Sequence, residues 1–348
     1  MLKFSVVIPI YNASSTLVDC VKTILNQEYN DIEIVLVNDG SVDNSLDICL
    51  NFKRKDSRIK LINKKNEGVA RARNDGLKVC TGDYVYFVDP DDLVESNIFL
   101  EVSPILKEKD IDILVFGHRK KILNRDMIYS KDIVMSPFTV KNNTKMKQNY
   151  LTQMYLAGVG FSAWDKIIRI DFLKENNISF PLLKRGQDMA FCAKVFEKSS
   201  YIVCLDKIFY TYLDFNSTGT NKTDPNIIQN HQYIFACLTK IFMDDEAYFY
   251  TNAFLQTIYL KWFFYVIPNN ILNSENNFMT KKNQMKNIYT NDLAKYIQSK
   301  FKIKDALGEK NKVMLLILKY KLLYLHILLI KIVKVSKPFI SRYRRISE

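Results

Sequence analysis

Residues 32–55 read IEIVLVNDGSVDNSLDICLNFKRK, and this stretch decides the fold class. It opens with a mostly apolar run at 32–38, which is typical of a strand covered on both faces of a sheet. The polar turn NDGS follows at 38–41, and residues 44–55 have the length and apolar spacing of a helix. The stretch is therefore one strand–turn–helix unit, the building block of a parallel sheet.

The same unit recurs on both sides of this stretch. Strand patterns occur at 4–10, 58–64, 84–89 and 111–117, and helical patterns at 14–27, 68–80 and 97–109. Because strands and helices alternate, the sequence predicts a Rossmann-like, mostly parallel α/β sheet with helices on both faces. Residues 227–310 instead show an all-helical, aromatic-rich pattern.

The positive charge of the chain is concentrated at its C-terminal end. The net charge is +13, and residues 311–348 contain nine Lys and Arg against Glu348. A nucleic-acid partner would require a basic face on the folded body, so none is expected.

The segment 313–333 is apolar but contains three lysines and His326, so it is a poor membrane span. Treated as one helix, it gives a basic stripe within about 40° of one direction. The stripe consists of Lys312, Lys319, His326, Lys334, Lys337 and Arg344. This pattern predicts a helix lying on the anionic inner surface of the cell membrane. The alternative is a helix of a bundle or a homodimer with a solvated basic face.

The cysteines indicate the compartment. None of the six forms a Cys-x-x-Cys pair, and Cys20, Cys49 and Cys80 lie in apolar helical patterns. Buried free thiols are expected, which favours a reducing cytoplasm. The first twelve residues have a strand period and no cleavage site, so no signal peptide is expected.

Polar residues follow the carboxyl end of each of the first four predicted strands. The four sets are Pro9, Tyr11 and Asn12; Asn38 to Ser41; Asn63 to Gly68; and Asp89, Asp91 and Asp92. Any single set could be a turn. Open α/β sheets bind ligands just beyond these strand ends, so the four sets together predict a binding site.

The last set, FVDPDD at 87–92, crowds three carboxylates within four positions. Such neighbours raise each other's pKa, so a cation is expected beside them. Carboxylates suit Mg²⁺ or Mn²⁺, which complete their shells with water and phosphate oxygens. Tyr11 could stack on a base, and Asp39 could accept hydrogen bonds from a ribose or a base. Arg71 and Arg73 could reach a phosphate, although an exposed helix face is commoner for Arg.

Taken in order, these motifs resemble glycosyltransferase family 2, the inverting nucleotide-sugar transferases of bacterial capsule, exopolysaccharide and O-antigen synthesis. The resemblance rests on SVVIPIYN, IEIVLVNDGSVDNSLDI, NEGVARARNDGL and GDYVYFVDPDD. It implies a GT-A fold over 1–225, with a nucleotide-binding half at 1–118 and an acceptor half at 119–225. A helical domain at 226–310 and the basic membrane-associating tail at 311–348 would follow.

The resemblance also implies roles for individual residues. The residues that it implies for nucleotide-sugar binding are Pro9, Tyr11, Asn12, Asp39, Gly68, Arg73, Asp89 and Asp91. Arg71 is expected to bind the nucleotide sugar as well. Asp91 and Asp92 would hold Mn²⁺ or Mg²⁺. In the later stretch AWDKIIRIDFLKENNISF…GQDMAF, Asp188 matches the catalytic base and Trp164 an acceptor-side aromatic residue.

Two positions depart from the family pattern. Gln187 stands where Glu is common, which leaves Asp188 as the candidate base. Leu213 stands where Arg or Lys is common, which weakens the prediction of a phosphate clamp there. Without the resemblance, Asp188 would be interpreted as a helix cap and Trp164 as a core residue.

The sequence thus predicts an inverting, metal-dependent hexosyl- or N-acetylhexosaminyltransferase. Its donor would be a nucleotide sugar, UDP-linked, and its acceptor a hydroxyl of a lipid-linked or growing cell-surface glycan. A nucleotidyltransferase is one alternative, but the loop IYNASST lacks the glycine expected there. A non-catalytic carbohydrate-binding or scaffold protein on the same fold is another, and the intact acids argue against it.

Overall fold

The computed structural model describes residues 1–107, 110–123, 128–215, 223–241, 248–291, 294–295, 298–299, 303, 306 and 308–330. The chain forms two compact units, Met1–Thr218 and Gly219–Glu348. The division lies close to the boundary predicted at 225.

The first unit opens with alternating strands and helices, as predicted. They are β1 (Phe4–Ile10), α1 (Leu17–Leu25), β2 (Ile32–Asp39), α2 (Ser45–Lys55), β3 (Ile59–Lys64), α3 (Val69–Lys78) and β4 (Tyr84–Phe87). Every residue of β1 and β2 is buried, which explains why both strands read as nearly continuous apolar runs.

The rest of the first unit is less regular. It contains β5 (Leu93–Val94), α4 (Ile98–Lys107), β6 (Ile113–Leu123), β7 (Ile128–Ile133), β8 (Phe138–Lys141), α5 (Thr144–Ala157), β9 (Lys166–Arg169), α6 (Ile170–Glu175), α7 (Gln187–Lys198) and β10 (Tyr201–Asp214).

All ten strands belong to one mixed sheet with the order β3-β2-β1-β4-β9-β6-β10-β5, in which β7 pairs with β6 and β8 with β10. The strands β3-β2-β1-β4 are parallel, which confirms the predicted alternation. The short strand β9 lies between β4 and β6 and is antiparallel to both. The sequence analysis did not identify it, because four residues are too few to show a period.

The strands β1 and β4 separate at their carboxyl ends. Their pairing stops at Val7 and Phe87, whereas β1 remains paired with β2 up to Ile10. Helix α3 packs closely over this region, since a Cβ atom on Gly76 would collide with the side chain of Val7. A crevice therefore opens beside the end of β1, and the first turns of α3 border it.

The second unit is helical in its described parts, as predicted. It contains α8 (Ile227–Ile241), α9 (Tyr248–Lys261), a π-helical turn (Trp262–Val266), α10 (Ile267–Asn273), α11 (Phe278–Thr290) and α12 (Gly308–Lys319). Residues 323–330 form a further helix. None of the helices in the described ranges has the length and apolar content that a membrane span requires. All six cysteines are free and buried, which confirms the expectation for the thiols.

The structure corrects the single helix expected over 313–333. The chain turns at 320–321, where Lys321 has a φ of 52°, so α12 and 323–330 are separate helices. His326 is fully buried, and its Nδ1 lies 2.7 Å from the hydroxyl of Tyr289. Burial lowers the pKa of His326 to about 4, so it does not contribute to a basic surface stripe. Lys334, Lys337 and Arg344 lie outside the described residues.

Candidate active site

A cleft of about 350 Å³ opens at the carboxyl ends of β1 and β4. It is lined by Pro9, Ile10, Tyr11, Asp39, Val69, Ala72, Arg73, Asp89, Pro90, Asp91, Gln187 and Asp188. Seven predicted site residues are among them: Pro9, Tyr11, Asp39, Arg73, Asp89, Asp91 and Asp188. The fold thus brings the candidate base, from the far end of the first unit, to the strand-end acids.

Arg73 joins the two groups of acids. Its Nη2 lies 2.7 Å from an oxygen of Asp89, and its Nη1 donates a hydrogen bond to Asp188. The guanidinium is buried and lies over the ring of Phe180, 5.2 Å from the ring centre. Such a planar, permanently charged group is suited to holding two carboxylates at a fixed separation.

Asp188 lies in the first turn of α7 and does not act as its cap. The residue at the N-cap is Gly186, which provides no side-chain hydrogen bond to the helix. The side chain of Asp188 contacts Arg73 instead and is 28% exposed. Desolvation raises the pKa of Asp188, and the charge of Arg73 opposes part of this effect. A carboxylate with a raised pKa at the wall of a cleft suits a general base.

Asp91 is the cleft acid without a cation. Among the described residues, the ion pairs at the cleft engage Asp89 and Asp188 through Arg73 and leave Asp91 unpaired. Desolvation and the charge of Asp89 raise the pKa of Asp91 to about 6.

These two strand-end acids fit a divalent cation. Asp89 and Asp91 are hard oxygen donors on either side of Pro90, and a cation would relieve the unfavourable charge of Asp91. The described part of the chain contains no cluster of three or more metal-ligating side chains. A Mg²⁺ or Mn²⁺ ion held here would therefore take its other ligands from water and phosphate oxygens.

Asp92, predicted as a metal ligand, does not line the cleft. One of its oxygens accepts a hydrogen bond from the hydroxyl of Tyr210 at 2.6 Å, and the other from the Leu213 N–H at 2.8 Å. The residue is 1% exposed, and burial together with Asp89 and Asp91 raises its pKa to about 8. Asp92 thus anchors the end of β4 to β10, and its role as a metal ligand stays a prediction.

Asp39 supports the start of α3. Its two oxygens accept hydrogen bonds from the N–H groups of Glu67 at 3.0 Å and Gly68 at 2.8 Å. Gly68 has a φ of 93°, a conformation that glycine adopts without strain, and α3 begins directly after it. Asp39 therefore orients the helix that carries Arg73 while it also lines the cleft.

The remaining predicted nucleotide-binding residues differ in their positions. Tyr11 lies at the rim of the cleft and is 49% exposed, so its ring is accessible to a base. Asn12 connects the ends of β1 and β2, since its N–H donates to Ser41 and its side chain accepts from the Val42 N–H. Asn12, Gly68 and Arg71 are not among the lining residues.

Trp164, predicted on the acceptor side, is a core residue. It is 9% exposed and stacks on Tyr210, with 4.6 Å between the ring centres, and on Tyr212 at 5.9 Å. Most of its ring is therefore covered by protein, and its acceptor-side role stays a prediction. Through Tyr210, whose hydroxyl accepts a hydrogen bond from the Asp89 N–H, this stack supports the end of β4.

The sequence analysis missed Phe180 and Tyr210. Asn74 bonds both backbone groups of Phe180 at 2.8 Å and so places its ring beneath Arg73. These partners are far apart in the chain, so no local pattern indicates them. Gln187 also lines the cleft, and its buried Oε1 has no hydrogen-bond partner among the described residues.

Comparison with known proteins finds similarity to glycosyltransferases. The model of glycosyl transferase family 2 matches residues 5–167. Glycosyltransferase GlyA of Streptococcus pneumoniae is 34% identical over 212 residues, which are 60% of this chain and 30% of that protein. The cholesterol galactosyltransferase of Borreliella burgdorferi is 28% identical over 269 residues, 76% of this chain and 74% of that protein.

A solved structure shows the same fold. The crystal structure of S. aureus TarS 1-349 in complex with UDP-GlcNAc has a TM-score of 0.69 at 20% identity, covering 96% of this chain and 92% of the TarS 1-349 chain. The predicted fold class, a GT-A sheet followed by a helical region, is thereby confirmed. The chain spans about a third of the length of the streptococcal relatives that it matches. By its motifs and these comparisons, the chain is similar to glycosyltransferases, and its residues 5–167 match the model of glycosyl transferase family 2.

Proposed function

We propose that this protein is an inverting glycosyltransferase that moves a hexosyl or N-acetylhexosaminyl group from a UDP-sugar to an acceptor hydroxyl. One observation carries the proposal. Asp188 faces the same cleft as Asp89 and Asp91, and Arg73 holds it there. A base and a diphosphate-binding site are the two parts that such a transfer requires.

The residues of the cleft have distinct roles in this proposal. Tyr11 stacks on the base of the donor, and Asp39 accepts from the base or the ribose. Asp89 and Asp91 would hold Mn²⁺ or Mg²⁺, which supplies positive charge opposite the departing diphosphate. Asp188 takes the proton of the acceptor hydroxyl while the oxygen of that hydroxyl attacks the anomeric carbon of the sugar. A single displacement of this kind inverts the anomeric carbon.

The names of similar proteins support the substrate classes. TarS was crystallised with UDP-GlcNAc, which favours a UDP-linked donor. The spirochaete relative is named for transfer of galactose to cholesterol, a hydroxyl-bearing lipid. We extend this to a lipid-linked or growing cell-surface glycan as the acceptor. Peripheral attachment to the inner face of the cell membrane would bring the enzyme to such an acceptor.

The proposal is tested in two steps. Thermal unfolding with UDP or GDP, with and without Mn²⁺, identifies the nucleotide, and UDP with Mn²⁺ should raise the melting temperature most. A panel of UDP-sugars with glycan and lipid-linked acceptors is then scored by release of UDP.

Three results would contradict the proposal. Release of inorganic diphosphate would indicate a nucleotidyltransferase. Nucleotide binding without turnover of any donor and acceptor pair would indicate a binding protein. A product that retains the anomeric configuration would exclude the inverting mechanism.

A further inference from the structure

The last two described helices, α12 and 323–330, form a helix–turn–helix segment with an exposed apolar face, which we call the tip segment (308–330). On α12 and the turn, Val313, Leu316, Tyr320 and Leu322 are between 38% and 63% exposed. On the second helix, Tyr324, Leu325 and Leu328 are between 42% and 76% exposed. These seven are a third of the 22 large apolar side chains that are exposed in the described residues.

On α12, Val313, Leu316 and Tyr320 lie on one face, because they are spaced by three and four residues. On the second helix, Tyr324, Leu325 and Leu328 fall within about 100° of one another. The opposite face is buried through Leu315, Leu318 and His326. Helices that are apolar on both faces are typically covered on both. The tip segment therefore has the composition of a segment with a partner on its outer face.

The charges around this face define the partner. Lys319 and Lys321 are exposed on either side of Tyr320 at the turn, and Lys310 and Lys312 lie near the start of α12. From 310 to 347 the sequence contains ten Lys and Arg and no acidic residue. The partner must therefore offer an apolar surface together with negative charge.

We propose that the tip segment docks the protein on an anionic lipid bilayer by inserting Tyr320, Leu322 and Tyr324 at the level of the headgroups. A bilayer with anionic lipids provides acyl chains and negative charge in one surface. Tyrosines with an apolar ring and a polar hydroxyl suit the boundary between headgroups and acyl chains. Lysines beside them can bury their stems and keep the ammonium groups among the phosphates.

This inference deepens the proposed peripheral location and rests on it, but it requires nothing of the chemistry in the cleft. It also differs from the surface that the sequence predicts. In the surface predicted from sequence, a basic stripe along one continuous helix contacts the membrane. In the tip segment, apolar residues at a turn make the contact, and lysines flank them.

The test is co-sedimentation of the full chain with vesicles of phosphatidylcholine, with and without phosphatidylglycerol. We expect binding only with phosphatidylglycerol, weakened by salt. The variant Tyr320→Ser/Leu322→Ser/Tyr324→Ser should lose about tenfold or more in vesicle affinity. Phe278→Ser/Met279→Ser is the matched control, since both residues are exposed at the start of α11, and it should bind like the parent.

A second variant distinguishes loss of the membrane-binding surface from a folding defect. Lys319→Gln/Lys321→Gln leaves the apolar side chains in place and should weaken binding to phosphatidylglycerol vesicles severalfold, with an unchanged melting temperature. UDP binding by both variants should match the parent. Retained UDP binding with lost vesicle binding separates the membrane surface from the cleft.

Three outcomes would overturn the proposal. The parent protein could fail to bind phosphatidylglycerol vesicles. The Tyr320/Leu322/Tyr324 variant could bind as well as the parent, which would assign binding to another segment. Finally, the parent could be a dimer that this variant dissociates without any vesicle binding, which would make the face an interface between two copies.

Discussion

Two acids in different regions of the sheet, Asp91 at the cleft and Asp112 beside β6, are held in opposite ways. Asp112, just before β6, accepts hydrogen bonds from Arg169 and from the backbone of Ser200 and Tyr201, all at 2.9–3.0 Å. Burial raises its pKa, but these donors outweigh burial and hold the pKa below its usual value. At the cleft, burial and the charge of Asp89 outweigh the hydrogen bond that Asp91 accepts from its own backbone N–H, and the pKa of Asp91 is raised to about 6.

The difference separates structural acids from reactive ones. A buried carboxylate needs donors to replace the water that it loses. Where the fold supplies enough of them, as for Asp112, the acid fixes a strand and has little capacity left for a ligand. Where it supplies too few, as for Asp91, the acid remains available to a cation.

Removal of the reactive base should have the largest effect. Asp188→Asn keeps the shape of the side chain but cannot take a proton, so transfer should fall by about 10²–10⁴-fold. Steady-state release of UDP measures the loss. UDP affinity and the melting temperature should stay near those of the parent, as they should in the control Asp171→Asn, an exposed acid on α6. Undiminished transfer by folded Asp188→Asn would exclude this base.

Removal of the cation that pairs with a buried structural acid should instead lower the stability of the fold. Lys166 pairs with Asp165, and both side chains are fully buried. Lys166→Met leaves Asp165 buried without its cation, which should lower the free energy of unfolding by about 3–5 kcal/mol. The matched control is Lys174→Met, which breaks an exposed pair with Asp171 and should cost less than about 1 kcal/mol. Equal losses in chemical denaturation would refute the distinction.

The smallest effect should be a pH dependence of metal binding. Because the pKa of Asp91 is raised to about 6, a proton competes with the metal as the pH falls through that value. Mn²⁺ affinity, measured by calorimetry with UDP present, should therefore drop about tenfold between pH 7 and pH 5. Asp91→Asn should abolish Mn²⁺-dependent UDP binding, whereas Asp92→Asn should preserve it. The reverse pattern would assign the metal to Asp92 instead of Asp91.

The parallel half of the sheet could be predicted from sequence because its information is local. Each strand, its polar end and the next helix are contiguous, so Tyr11, Asp39 and Asp91 could be placed at one edge. Asp188 could be assigned only through the family resemblance. Its tie to Arg73 links distant parts of the chain and leaves no periodic signal.

Other features of the structure also depend on contacts that the sequence does not show. Asp91 and Asp92 are adjacent in the family motif, yet they lie in a turn at 90–92, and Asp91 lines the cleft whereas Asp92 bonds Tyr210. The stacking of Trp164 on Tyr210 joins residues 46 positions apart, so no local pattern indicates it. At the C-terminal end, the helical wheel treats 312–344 as one straight helix. The turn at 320–321 breaks that helix, so the wheel does not give the direction of His326.

The position of β9 has a consequence for how the protein is made. Residues 1–118 include most residues proposed to bind the donor, yet the outer edge of β4 is covered only when Lys166–Arg169 pairs with it. During synthesis, a nascent chain that ends before this point leaves the edge of a fully buried strand unpaired. Such edges template aggregation. The first half of the chain should therefore be insoluble when expressed as a separate fragment, and Met1–Thr218 is the smallest piece expected to fold.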